Sequence, residues 1–131
     1  MKNDKDNNAP TCPCGSGHAY KHCCQPYVEQ ISNAPTAEAL MRSRYCAFVL
    51  LDEDYLRYSW HPDTCPKIIH LHKETNWLGL NIKNTEDGLS DDDNGCVEFI
   101  ARYKTNGKAT RLHENSRFTR YKNRWVYLDA N

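Results

Sequence analysis

No stretch of this 131-residue sequence approaches the roughly 18 consecutive apolar residues that a bilayer span requires, so a membrane helix is excluded. Excess charge of either sign is also missing. The 17 basic residues balance the 17 acidic ones, which argues against a polyanion binder driven by bulk charge and leaves only a local patch to consider. There is no internal repeat and no low-complexity run. Met1 to Ala9 lacks the apolar core of a secretory signal and reads as a disordered polar tail, so a cytoplasmic protein is expected. What the chain does have is 39% hydrophobic and 26% charged residues in a length suited to one domain with a small appendage.

Cysteine is the informative residue. There are seven, an odd number without a signal for an oxidising compartment, so a disulfide framework is the weaker reading. Four of them crowd into one segment, Cys12-Pro-Cys14-Gly-Ser-Gly-His-Ala-Tyr-Lys-His-Cys23-Cys24. Pro10 to Pro26 is too poor in aliphatic side chains to build a core, and a metal supplies the missing stability. Zinc takes four donors at tetrahedral positions, about 2.3 Å away for thiolate sulfur. A C-x-C pair and a C-C pair at the two ends of a glycine-containing loop can supply all four. The expected ligands are therefore Cys12, Cys14, Cys23 and Cys24 around one structural Zn2+ per chain. His18 or His22 is an alternative ligand that spacing leaves open. Four thiolates close the coordination sphere and leave no position for a reacting water. They also carry a net charge of about −2 with the ion, which His18, Lys21 and His22 are placed to offset. Cys46, Cys65 and Cys96 have no base at local spacing and read as non-catalytic thiols.

Helix signals begin at Ala34-Pro-Thr36, where Thr36 can cap a helix running to about Leu51, with Leu40, Met41, Tyr45, Phe48 and Val49 at helical spacing. A second helix is expected over Asp52 to Trp60, and a short helix or loop over Pro62 to Glu74. Strands follow. Trp77 to Asn84 is expected to place Leu78, Leu80 and Ile82 on one face, and Glu86 to Asn94 to form an exposed acidic loop. Gly95 to Lys104 and Ala109 to Tyr121 flank an Asn106-Gly107 hairpin, and Lys122-Asn123 turns into Arg124 to Ala130. Helices followed by an antiparallel meander make an α+β fold.

The cysteine segment resembles the SEC-C motif, also found at the C-terminus of the SecA translocation ATPase. The resemblance continues through the run from Ala34 to Tyr45, Tyr58-Ser-Trp-His-Pro62, Trp77-Leu-Gly-Leu80 and Leu112-His-Glu-Asn-Ser-Arg-Phe118, which is similar to the YchJ family of bacterial SEC-C proteins. It implies a zinc motif over residues 10–28 and, over residues 34–131, a domain like nuclear transport factor 2: helices packed on a curved, cone-shaped antiparallel sheet. By analogy with SecA, whose motif contacts the SecB chaperone, the motif implies a protein partner that is chaperone- or ribosome-associated. His18, Lys21 and His22 would be its contact residues.

The cone also admits an enzyme of the isomerase or dehydratase kind, or a small-molecule binder, with Tyr45, His61, Glu98, His113 and Arg117 as pocket candidates and His113–Glu98 as an acid/base pair. The plainer reading of Glu98, Arg102, His113 and Arg117 is a solvated sheet face. Arg42 and Arg44 read as structural or exposed, and His70 and His72 as surface residues. A third possibility is single-stranded nucleic acid along Arg102, Lys104, Lys108, Arg111, Arg117, Arg120, Lys122 and Arg124, interleaved with aromatics. The leading expectation is a protein-interaction module rather than an enzyme.

Overall fold

The computed structural model describes residues 9–131, and the expected tail lies almost wholly outside them. The cysteine segment is followed by a short helix α1 (Gln25–Val28), a long helix α2 (Ala37–Leu50) and helix α3 (Glu53–Tyr58). An irregular connection then leads into strands β1 (Thr75–Asp87), β2 (Asn94–Thr105), β3 (Lys108–Tyr121) and β4 (Arg124–Ala130). The strands form one antiparallel sheet in sequence order.

Local chemistry explains the helix boundaries. The Thr36 hydroxyl accepts from the Ala39 amide at 3.1 Å, and Leu51 ends α2 in the left-handed conformation. Asp52 caps α3 by accepting from the Tyr55 amide at 3.0 Å. Replacing Thr36 by alanine removes one cap and should cost about 1 kcal/mol, read as a lower urea midpoint with unchanged slope.

Helix α2 crosses β1, β2 and β4. Its Leu40, Met41 and Tyr45 join Val97, Phe99, Phe118 and Trp125 in the main core. The other side of α2 is buried as well. Cys46 and Ala47 pack with Cys12, Cys14, Cys24, Val28, Leu56 and Ile69 in a second cluster. The helix is thus covered on two sides, which is why Ser43 and Arg44 are buried within it. The turn after β1 meets its start: Gly88 oxygen accepts from the Ala37 amide at 2.9 Å, and a Cβ on Gly88, with φ of +77°, would lie 2.7 Å from the Ala37 Cβ.

Strand β1 departs from the simple alternation. Trp77 pairs with Tyr103 and Gly79 with Arg102, so Leu78 is an extra, bulged residue. The bulge turns Leu78 outward, 54% exposed, while Trp77, Leu80 and Ile82 pack against the core. The expectation of Leu78, Leu80 and Ile82 on one face is therefore wrong, because one inserted residue shifts the period-two pattern. A second bulge sits at Lys83, and pairing with β2 continues past it to Asp87 opposite Gly95, so Glu86 and Asp87 belong to β1 rather than to the acidic loop. The Pro62 to Glu74 segment is a loop, and α3 is shorter at its C-terminal end than expected.

Candidate metal centre

The cysteine segment folds back on itself through a small ladder. The Cys12 amide donates to His18 oxygen at 2.8 Å and the Tyr20 amide to Pro10 oxygen at 2.9 Å. Gly15 at φ +83° turns the chain between these pairs, and a Cβ there would meet Leu80 oxygen at 3.1 Å, so the loop lies directly on β1. A single 3-10 turn, Tyr20–His22, then delivers Cys23 and Cys24.

The sulfurs of Cys12, Cys14, Cys23 and Cys24 all lie within 4.8 Å of one another. Cys14 and Cys23 are 3.7 Å apart, and Cys23 and Cys24 3.9 Å. A tetrahedron of thiolates about 2.3 Å from a zinc ion has edges of about 3.8 Å, so the spacing fits a four-sulfur metal site. His18 and His22 are exposed and stand outside this group. The chain's own groups cannot hold four thiolates together unaided. Hydrogen bonds from Cys12, Cys24 and Cys46 hold the Cys14 thiol far below its usual range. Contacts with Cys12 and Cys14 push Cys24 far above it. Cys12 is lowered as well, whereas burial pushes Cys23 up, so four thiolates held together call for a cation among them.

Two residues beyond the motif pack against the site, Arg42, read from the sequence as structural or exposed, and Cys46, read as a non-catalytic thiol. Arg42 on α2 donates from Nη1 to Cys14 oxygen at 2.8 Å and reaches Cys14 Sγ at 3.8 Å, while its Nε pairs with Glu38 at 3.0 Å. It is a cation set against the most acidic sulfur. Cys46, fully buried on the same helix, lies 3.5 Å from Cys12 Sγ. The only sequence hint was helical: Arg42 and Cys46 are four residues apart and share a face of α2. His18, Lys21 and His22 are exposed. His18 and His22 line a cleft of about 520 Å³ together with Cys23, Cys24, Glu38 and Arg42.

The enzyme candidates do not converge. His113 Nε2 and Glu98 Oε2 are 2.7 Å apart, but they are 50% and 37% exposed on the outer face of the sheet. Arg117 makes a two-point ion pair with Asp129, at 2.6 Å for each contact, on that same open face. His61 accepts from the Asp63 amide at 3.0 Å and lies beside the Tyr121 ring. Tyr45 alone borders the interior cavity under α2, edge-on to Trp77, with burial pushing its phenol up to about 12. The acid/base grouping imagined for the cone is corrected: alternation along β2 and β3 sends Glu98, His113 and Arg117 outward. Arg44, read as structural or exposed, is buried at the same cavity.

The basic strand run is partly consumed by internal contacts. Arg120 donates to Ser90 and Asp92 oxygens and stacks on Trp125, and Arg124 donates to Tyr58 oxygen.

Comparison with known proteins agrees with this architecture. Residues 11–26 match the SEC-C motif, and residues 36–130 match the family described as "YchJ, middle NTF2-like domain". A UPF0225 protein of Chromobacterium violaceum is 48% identical, the match covering 99% of this chain and 98% of that protein. One from Deinococcus radiodurans is also 48% identical, over 91% and 87%. The solution structure of a SEC-C motif containing protein from Rhodopseudomonas palustris is similar with a TM-score of 0.82 and 33% identity, over 92% of this chain and 96% of that one. A crystal structure of a SEC-C motif containing protein from Psychrobacter arcticus gives 0.74, also at 33% identity, over 92% and 81%. With its SEC-C motif docked on a nuclear transport factor 2-like domain, the chain belongs to the YchJ family of UPF0225 proteins.

Proposed function

We propose that Cys12, Cys14, Cys23 and Cys24 hold one structural zinc ion and that the motif so fixed is a docking element for another protein. The observation that carries this reading is that the motif keeps His18, Lys21 and His22 exposed while Cys12, Cys14 and Cys24 are buried against α2, and that His18 and His22 share a cleft with Cys23, Cys24 and Arg42. Zinc contributes structure here rather than hydrolysis, because four thiolates leave no position for water. A preorganised turn lowers the ordering cost when a partner binds. The cationic and imidazole groups suit an acidic surface, of the kind a chaperone or a ribosome-associated protein can offer.

The test is crosslinking in cells followed by affinity recovery, comparing wild type with Lys21→Glu and with the chelated protein. Lys21→Glu should retain its metal yet lose the partner, and chelation should lose both. Equal recovery from all three would contradict the proposal.

A further inference from the structure

Between α2 and the concave face of the sheet lies a cavity of about 250 Å³ that the metal motif does not use. It lies just below the range of ligand pockets, about 300–1,000 Å³, and so suits only a small ligand. A wider cleft of about 400 Å³ shares Phe48, Trp77 and Leu112 with it. The walls are largely aromatic, yet two opposite charges border the space, Arg44 from α2 and Glu114 from β3.

Arg44 is only 4% exposed. Its guanidinium lies 4.8 Å from the Trp60 ring centre and 4.7 Å from that of Tyr127. Nη1 donates to Leu56 oxygen at 2.9 Å and to Ser59 Oγ at 2.7 Å, both neutral acceptors. Among the described residues Arg44 makes no ion pair, and neither does Glu114. A buried charge such as Arg44 is ordinarily paired, and Glu114 is half-buried beside the same space. Burial lowers Arg44 to about 10, which still leaves it charged at neutral pH. Burial and then the nearby Glu114 carboxylate push the Tyr127 phenol up, so Glu114 acts on the ring that stacks with Arg44. Trp60, which also borders the cavity, has its indole Nε1 buried without a hydrogen-bond partner.

A neutral apolar ligand would leave both charges without an ionic partner. An inorganic dianion would meet Glu114 and a wall of aromatic rings. We propose that this cavity binds a small zwitterion with an apolar body, a hydrophobic α-amino acid. Its carboxylate goes to Arg44, its ammonium to Glu114, and its side chain lies against Tyr45, Trp77 and Phe99. The site is separate from the metal motif and stands or falls independently of the docking role.

The experiment is an NMR titration of the metal-loaded full chain, following the indole N–H signals. Trp60 and Trp77 border the cavity, whereas Trp125 Nε1 donates to Pro35 oxygen at 3.2 Å and serves as the internal control. The probes are L-phenylalanine, L-leucine, 3-phenylpropanoate and 2-phenylethylamine. Phenylalanine should shift Trp60 and Trp77 saturably, leave Trp125 in place, and bind about tenfold tighter than either half-molecule. Glu114→Gln should erase the advantage over 3-phenylpropanoate, and Arg44→Met should weaken phenylalanine about tenfold. Arg44 also braces Leu56 and Ser59, so Glu114→Gln and the half-molecules decide the matter if Arg44→Met fails to fold. No saturable shift with phenylalanine or leucine at about 10 mM, or phenylalanine binding no better than 3-phenylpropanoate, would overturn the proposal.

Discussion

Cys14→Ser is expected to abolish metal binding and to melt the segment from Pro10 to Val28 while the sheet stays folded. Cys14 is fully buried, lies 3.7 Å from Cys23, and is the sulfur that its neighbours most favour as thiolate. Serine offers zinc a poor donor. A structural zinc is worth about 10–16 kcal/mol in small metal-dependent peptides, more than the segment's packing on α2 and its Arg42 contact are expected to supply. The main core of Phe99, Phe118 and Trp125 draws nothing from the cysteines, so unfolding should be local. Hydrogen exchange reads this directly. The Cys12 and Tyr20 amides, which bond to His18 and Pro10 oxygens, should lose protection, and those of β2 and β3 should keep it. Retained protection at Cys12 and Tyr20 in metal-free variant protein would contradict the dependence on metal. Acid should act in the same direction. Thiolates held by a cation are depressed in the folded state, so their contribution is present at neutral pH and lost as pH falls and protons compete for sulfur.

Arg42→Ala should loosen the motif from α2 and weaken metal binding about 10–100-fold, the usual cost of removing a group that orients a metal ligand. The hydrogen bond to Cys14 oxygen involves a charged donor, so stability should fall by about 1.5–3 kcal/mol. Arg42→Lys keeps the charge but cannot reach Glu38 and Cys14 together from a planar fork, and should fall between the two. Glu38→Gln removes only a half-exposed i,i+4 partner and should cost about 0.5 kcal/mol or less, separating the docking contact from the surface pair. Competition with a zinc-sensitive chelating dye gives the affinities, and urea unfolding gives the stabilities. Wild-type affinity in Arg42→Ala would show that α2 does not support the site.

The sequence made the ligand set legible because the four cysteines are local: two pairs separated by eight residues must meet if the loop closes. The caps at Thr36 and Asp52 and the Asn106-Gly107 hairpin were legible for the same reason, since each is satisfied within a few residues. What escaped was set by distant contacts. Arg42 meets Cys14 across 28 positions and Cys46 meets Cys12 across 34, and their shared helix face does not say what covers it. Arg44 looked like an ordinary helix arginine because the rings that bury it, Trp60 and Tyr127, come from the loop after α3 and from β4. Leu78 was misplaced because Gly79, the one mark the bulge leaves in this apolar run, was read as an ordinary strand position. Glu98 and His113 did pair as their strand positions suggested, but which face of a sheet is hollow depends on its curvature and on the helix above it.

X-ray absorption at the zinc edge tests the central claim most directly, on wild-type protein reconstituted under reducing conditions and on Cys46→Ser. One zinc per chain with four sulfur neighbours at about 2.3 Å and no nitrogen shell, unchanged in Cys46→Ser, is the predicted result. A mixed sulfur and nitrogen shell, a spectrum altered by Cys46→Ser, or failure to take up one equivalent would contradict it.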